Sequence, residues 1–296
     1  MNRFLAFIGA LILAFISVSS ACSAAPTQLI HFTLEPKASQ PGEIQASFRT
    51  EVRGAEDGRW SDGLWSAGFR PSEFVGLDLA GFRGAGSRPL RFAVIREAGR
   101  LNCSGHGGEA YAAGYCSFTA DPQFIKLLES RGIGRPTDQQ AFGLLSVNAR
   151  REVIDAVAAA HYPTPSIDNL TALSALGVDG AYIAGMARAG YRPRTIDGLI
   201  QFKALNITPE WIAQFVRIGY GNLPTDELVQ LKALDITPDF IAAFNRFGYG
   251  HLPVDQLVQL KAMNITPEFV QRVAAVDRTL PPVNKLVELK AFDRSH

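Results

Sequence analysis

A spacing of 29 residues constrains this chain more than any other feature. Gly190-Tyr191, Gly219-Tyr220 and Gly248-Tyr249 recur at that interval, and the segments after them align without gaps: YRPRTIDGLIQFKALNITPEWIAQFVRI, YGNLPTDELVQLKALDITPDFIAAFNRF and YGHLPVDQLVQLKAMNITPEFVQRVAAV. The same apolar positions return one period earlier from His161, and more weakly but in register from Gly132. A final copy starts at Asp277 and is cut short. The array thus occupies 132–296, with repeats starting at 132, 161, 190, 219 and 248 and a partial one at 277. Asp121-Pro-Gln-Phe124 stands where Thr208-Pro-Glu-Trp211 stands in a full copy, so a half-repeat helix over 121–131 precedes the array. Units of this length cannot bury an apolar face alone and stack on their neighbours instead.

Each unit encodes two short helices, A and B. In the copy starting at 219, helix A is expected from about Thr225 to Ala233, with Leu228, Val229, Leu231 and Leu234 as its apolar stripe. Helix B starts with Thr237 as N-cap, Pro238 at the first helical position and Asp239 in the first turn. Thr accepts a bond from an orphan N–H, Pro has no N–H to lose, and the acid suits the positive helix end. Phe240, Ile241 and Phe244 supply the buried face, and Gly248 follows where a left-handed residue is wanted. Such short helices are marginal alone. The expected product is an α-solenoid whose five full repeats extend roughly 50 Å at a packing distance of ~8–10 Å.

Three charged columns run along it. Lys203, Lys232, Lys261 and Lys290 follow helix A; Arg188, Arg217 and Arg246 follow helix B; Asp168, Asp197, Asp226 and Asp255 sit near the start of helix A. Charge complementation between neighbouring repeats is one expected role. The other is contact between the basic columns and an acidic partner. The columns Trp211/Phe240/Phe269 and Tyr191/Tyr220/Tyr249 read as inter-repeat packing.

Residues 1–25 read as a secretory signal: Arg3, an unbroken apolar run from Phe4 to Val18, then SSACSAA. The run is shorter than the ~20 residues of a typical membrane span. Ser-Ser-Ala-Cys22 resembles a bacterial lipoprotein signal, which would lipidate Cys22 as the first mature residue, although Ser19 stands where Leu is usual. Ordinary cleavage after Ala21, Ser23 or Ala24 is the alternative. Either route places the protein in the periplasm or at the outer membrane, with a possible lipid anchor and no transmembrane helix after processing. Cys103 and Cys116 then remain, and an exported chain with one such pair is expected to form a disulfide; two buried thiols are the alternative.

Residues 26–120 read as a mostly-β domain. Alternating or apolar runs occur at 28–34, 44–52, 91–96, 99–103 and 114–119, and the last two flank a Gly-rich stretch, SGHGGEAYAA, expected as a loop in a hairpin closed by Cys103–Cys116. Trp60, Trp65, Phe69, Phe74 and Phe82 are expected to fill a sheet face. The fold class is therefore α+β: a small mostly-β domain followed by an α-solenoid. Ser104 and His106 give the Gly-rich stretch a candidate nucleophile and base, but no Gly-x-Ser-x-Gly exists. No His-Glu-x-x-His is present, and the five histidines are scattered, so neither metal nor cofactor is expected. The formal net charge is +1, with 12 basic and 12 acidic residues in 22–131 and 16 of each in 132–296, which argues against nucleic acid.

The run Phe92-Ala-Val-Ile-Arg-Glu-Ala-Gly99, then Leu101-Asn-Cys-Ser-Gly105, a Gly-rich stretch and Cys116-Ser-Phe-Thr-Ala-Asp-Pro-Gln-Phe124, leads directly into repeats of the form LxxLKALxITPEFIxxFxxxGY. This arrangement, over roughly residues 88–296, resembles a bacterial exported module. The module occurs as standalone proteins and as the extracytoplasmic tail of some membrane sensor metallopeptidases of the β-lactam-sensor (BlaR/MecR) type. This chain lacks the peptidase helices and zinc motif, so the resemblance carries over no catalytic residue and implies recognition or regulation. The expected function is an exported, non-enzymatic scaffold that binds a protein or peptide partner in the envelope. The alternative is a cell-envelope hydrolase using Ser104 and His106.

Overall fold

The computed structural model describes residues 30–53 and 60–293. The signal segment with Cys22, and the last three residues of the array, lie outside them. Among the described residues seven antiparallel strands form one sheet: β1 (Ile30–Pro36), β2 (Ile44–Arg53), β3 (Trp60–Phe69), β4 (Phe74–Val75), β5 (Arg88–Arg96), β6 (Gly99–Gly108) and β7 (Tyr111–Ala120). Their order is β3-β2-β1-β7-β6-β5-β4. Two meanders meet where β1 pairs with β7, which sets Ile30 opposite Cys116. Alternation then divides the faces. Ile30, Phe32, Leu34, Ile44, Ala46, Phe48, Phe92, Val94, Leu101, Cys103, Ala112 and Cys116 are buried on one side. Phe69, Phe74 and Phe82 join them as the sequence suggested, and Trp65 packs against their edge.

The Gly-rich stretch is not a loop. It is the paired interior of β6 and β7, and only Glu109 and Ala110 form the turn. Gly105 lies opposite Gly114, and a Cβ on Gly105 would stand 2.1 Å from the Ala113 carbonyl oxygen. A Cβ on Gly114 would stand 2.9 Å from the Phe32 ring. The glycines let strands and rings approach closely. Glu109 and Ala110 both have positive φ, +54° and +61°, as a two-residue turn of this hand requires. Helix α1 (Leu79–Arg83) holds them there. The Glu109 N–H donates to the Gly84 oxygen at 2.6 Å, and the Ala110 N–H to the Phe82 oxygen at 2.8 Å. Cys103 and Cys116 are directly opposed and disulfide-bonded.

The chain leaves β7 through Asp121, whose carboxylate accepts from the Gln123 and Phe124 N–H groups and caps α2 (Pro122–Ser130). The A helices are then α3 (Asp138–Ser146), α5 (Ile167–Ala175), α7 (Ile196–Ala204), α9 (Thr225–Ala233), α11 (Val254–Ala262) and α13 (Val283–Asp293). The B helices are α4 (Arg151–Ala159), α6 (Gly180–Arg188), α8 (Pro209–Arg217), α10 (Pro238–Asn245) and α12 (Pro267–Asp277). Each A helix packs on the next A helix. Every repeat turns twice through left-handed residues. Asn148, Gly177, Asn206, Asp235 and Asn264 end the A helices, and His161, Gly190, Gly219, Gly248 and Arg278 follow the B helices. Asn, Asp and Gly tolerate that conformation best.

Sheet and array share one core. Phe142 on α3 is fully buried. It meets Phe48, Trp65 and Phe118 edge-on at ring distances of 6.4, 6.5 and 5.7 Å. Two neighbouring residues, the last of β5 and the one after it, grip the first repeat. Arg96, with its side chain 9% exposed, donates to the Leu145 and Ser146 oxygens at the C-terminus of α3 and to Glu73 at 3.0 Å. Glu97 accepts from the Arg151 N–H at 2.7 Å, at the N-terminus of α4, where Arg150 supplies no cap. A cation thus meets the negative end of one helix and an anion the positive end of the next. Burial raises the Glu73 pKa, but the Arg70 N–H and the Arg96 guanidinium outweigh it and hold the carboxyl below its usual value.

Candidate functional site

Along one side of the array, the starts of α7, α9 and α11 each enclose a cleft with the loop before the next A helix. The first measures about 550 Å3 and is lined by Tyr191, Asp197, Gln201, Leu223, Pro224 and Asp226, among others. The second, about 320 Å3, carries Tyr220, Leu223, Glu227, Gln230, Pro253 and Asp255. The third, about 310 Å3, carries Tyr249, Asp255, Gln256, Gln259, Pro282 and Asn284. Tyr191/Tyr220/Tyr249, Gln201/Gln230/Gln259, Pro224/Pro253/Pro282 and Asp226/Asp255/Asn284 are equivalent positions 29 apart. Leu223 borders the first two clefts and Asp255 the last two, so the clefts adjoin one another in a row, a stepped groove along the array.

Buried Tyr220 and Tyr249 and half-buried Tyr191 line its floor. The Tyr220 hydroxyl donates to the Leu252 oxygen at 2.7 Å, Tyr249 donates to the Pro281 oxygen, and Tyr191 meets the Thr225 hydroxyl at 3.3 Å. Burial raises all three phenol pKa values, so they stay neutral donors. Asp197, Asp226, Asp255, Gln201, Gln230 and Gln259 are exposed. In each helix the Asp and Gln are four residues apart and share one face.

The groove begins where a side-chain bridge ends. Gln140 donates to Asp168 at 3.5 Å, and Asn169 donates to Asp197 at 3.2 Å, closing the first two joints. The next residue in that column is Gly198, which has no amide to offer Asp226, and the largest cleft lies there. The following one is Glu227, an acid beside the acid Asp255. Helix α7 is capped by the Thr195 hydroxyl, whereas α9 and α11 follow Pro224 and Pro253 and have no side-chain cap.

The lysine column faces elsewhere. Lys203 lies over the Tyr182 ring at 4.5 Å, Lys232 over Trp211 at 5.5 Å, Lys261 over Phe240 at 5.3 Å and Lys290 over Phe269 at 4.9 Å. Each lysine covers an aromatic ring of the preceding repeat, a cation–π contact. Charge contact between neighbouring repeats, as expected, occurs at Lys261, which donates to the Asp235 backbone oxygen of the preceding repeat at 2.7 Å with the Asp235 carboxylate 3.9 Å away, although Asp235 is outside the aspartate column. Arg188, Arg217 and Arg246 are exposed on the B helices, and Arg217 donates to the Ala213 oxygen.

Ser104 and His106 are both exposed on the outer face of β6. The residues across from Ser104 are Arg91 and Tyr115, and those across from His106 are Pro89 and Ala113. None of the four is a carboxylate that could orient the imidazole. A separate cavity of about 370 Å3 sits at the joint, bounded by Trp65, Phe69, Arg96 and Asn148. Among the described residues no His, Cys, Asp or Glu cluster could hold a metal ion, and no single helix is long and apolar enough to cross a membrane.

The groove residues were not singled out from the sequence, apart from the Asp and Tyr columns. The signal was present: aligned at 29, the exposed column Gln201/Gln230/Gln259 and the proline column Pro224/Pro253/Pro282 repeat without a break. No protein-family model matches the chain, and a search of curated proteins finds no match.

Proposed function

We propose that the protein is an exported recognition scaffold, non-enzymatic, whose array holds a protein or peptide partner in the cell envelope. The row of adjoining clefts over three repeats carries this reading, because stacked repeats make long surfaces suited to chains rather than closed pockets suited to small molecules. The buried Cys103–Cys116 disulfide supports export, since such bonds persist in oxidising compartments. Residues 1–25 act as the signal, and Cys22 is a candidate lipid attachment site. The basic columns remain a second candidate contact, with Arg188, Arg217 and Arg246 the more accessible part.

Affinity capture from envelope extracts tests the scaffold reading. Deleting residues 190–276 removes three whole repeats and leaves the remaining helices in register. One dominant partner should be captured by the intact protein and lost on deletion. Capture of nothing above background across several growth conditions would count against the scaffold. The intact mass of the protein recovered from cells reports export independently, through the cleavage site and any diacylglyceryl group on Cys22.

A further inference from the structure

The geometry points to a specific occupant for the groove: an extended polypeptide in the polyproline II conformation with a lysine or arginine at every third position. This rests on the scaffold reading and adds the class of partner.

Spacing selects the conformation. Neighbouring packed helices lie ~8–10 Å apart, so successive clefts repeat at about that distance. A polyproline II chain has three residues per turn and rises ~3.1 Å per residue, so side chains on one face repeat every ~9.3 Å. A β-strand repeats its face every ~6.7 Å, and an α-helix turns every ~5.4 Å. Of the three, only polyproline II places one equivalent side chain in each cleft.

The groove also offers what that backbone lacks. A polyproline II chain makes no internal hydrogen bonds, so its peptide groups need outside partners. Gln201, Gln230 and Gln259 are exposed amides, one per cleft, and each both donates and accepts. The first turns of α9 and α11, free of side-chain caps, present N–H donors to carbonyls arriving at Pro224 and Pro253.

Charge selects the side chains. Asp197, Asp226, Glu227 and Asp255 line the groove, and among the described residues the second and third clefts carry no lysine or arginine. The two arginines, Arg192 and Arg194, stand in the first cleft. Arg192 is drawn over the Tyr162 ring at 4.7 Å. Basic side chains three residues apart would each meet a carboxylate while the intervening residues stay on the outer side of the peptide.

The test uses labelled 12-residue probes, read by fluorescence anisotropy with the purified full chain at about 0.15 M salt, where exposed charges are screened beyond ~8 Å. The probe (Lys-Pro-Pro)4 should bind at least tenfold more tightly than an isomer with its four lysines in one block. D226N/D255N should weaken it at least tenfold. Q230A/Q259A should weaken it severalfold with the melting temperature unchanged, because these amides are exposed; D226N/D255N also gives up two first-turn acids and should melt slightly lower while remaining folded. Equal binding of the two isomers would reduce the groove to unspecific charge attraction and overturn the proposal. So would unchanged affinity in D226N/D255N, or no binding of (Lys-Pro-Pro)4 at all. If that probe fails while envelope capture still depends on residues 190–276, the polyproline II register is wrong and the scaffold stands. If the capture fails as well, both fall.

Discussion

The sheet and the array hold themselves together over different distances along the chain. In the sheet, Ile30 pairs with Cys116, and the turn at Glu109-Ala110 is anchored to Phe82 and Gly84. Removing one strand there removes partners for residues far away. In the array, Tyr220 reaches only to Leu252 and Lys232 only back to Trp211. Such an array is nearly one-dimensional in its energetics. One repeat can therefore change without disturbing the rest, as at Gly198, where the same column carries Asn169 one repeat before and Glu227 one repeat after. The repeat starting at 132 is where the two regimes meet. Where later repeats carry an exposed glutamine, it has Gly143, and a Cβ there would come within 3.2 Å of the Trp65 ring. Its weak match to the other copies follows from serving the sheet as well as the array.

Phe142→Ala tests that joint most severely. It removes a fully buried ring from between Phe48, Trp65 and Phe118 and should cost about 3–5 kcal/mol. If sheet and array unfold as one unit because of this contact, calorimetry should show the variant's single transition dividing into two. A transition that stays single and merely shifts would show that coupling lies elsewhere along the joint. Replacing both Cys103 and Cys116 by Ala should cost about 3 kcal/mol for a link of 13-residue separation. Hydrogen exchange should register the loss in the sheet, with α8 to α12 unchanged. Tyr220→Phe removes one hydroxyl bond to the Leu252 oxygen and should cost about 1 kcal/mol. Its exchange effect should be confined to the repeats starting at 219 and 248; spread into the sheet would contradict the one-dimensional picture.

The same contrast explains what could be read from the sequence. Local rules wrote the array, so α9 falls on Thr225–Ala233 as its apolar stripe indicates, and the Thr237 hydroxyl accepts from the Phe240 N–H as an N-cap does. The fold class was legible for that reason. Non-local pairing wrote the sheet. Nothing in IHFTLEP says that β1 sits between β2 and β7, and β3 was missed because WSDGLWSAGF mixes Gly and Ser into its alternation. Glycines at 105, 107, 108 and 114 look like a loop until the opposing strands are known. The groove was half legible. Its tyrosines and aspartates stand out as columns, but only packing shows that they face one another across a joint and that the lysines do not.

Glu73 provides a gentler probe of the joint. Its carboxyl is held below the usual value near 4.5 in the folded state, so the group binds fewer protons there than in the unfolded chain. Its contribution is therefore fully present above the unfolded pKa and is lost as pH falls through the folded value. Glu73→Gln should remove that part of the acid dependence. Melting temperatures for the two proteins should converge as pH drops below about 4; a gap that stays constant down to pH 3 would mean the pair with Arg96 contributes no proton linkage.

The smallest expected effect separates the two roles open to the lysine column. Lys232 lies over the Trp211 ring and lines none of the three clefts. A cation–π contact at a partly exposed site is worth about 0.5–1 kcal/mol, so Lys232→Gln should lower stability by about that much and leave (Lys-Pro-Pro)4 affinity unchanged. Lys232→Arg should restore the stability, because a guanidinium also stacks on an indole. If Lys232→Gln instead abolishes envelope capture at unchanged stability, the lysines leave their rings to meet the partner, and the array has two recognition faces. If both stability and capture survive, the column serves only to solvate helix A, and the clefts between the repeats are left as the surface on which this array differs from a plain spacer.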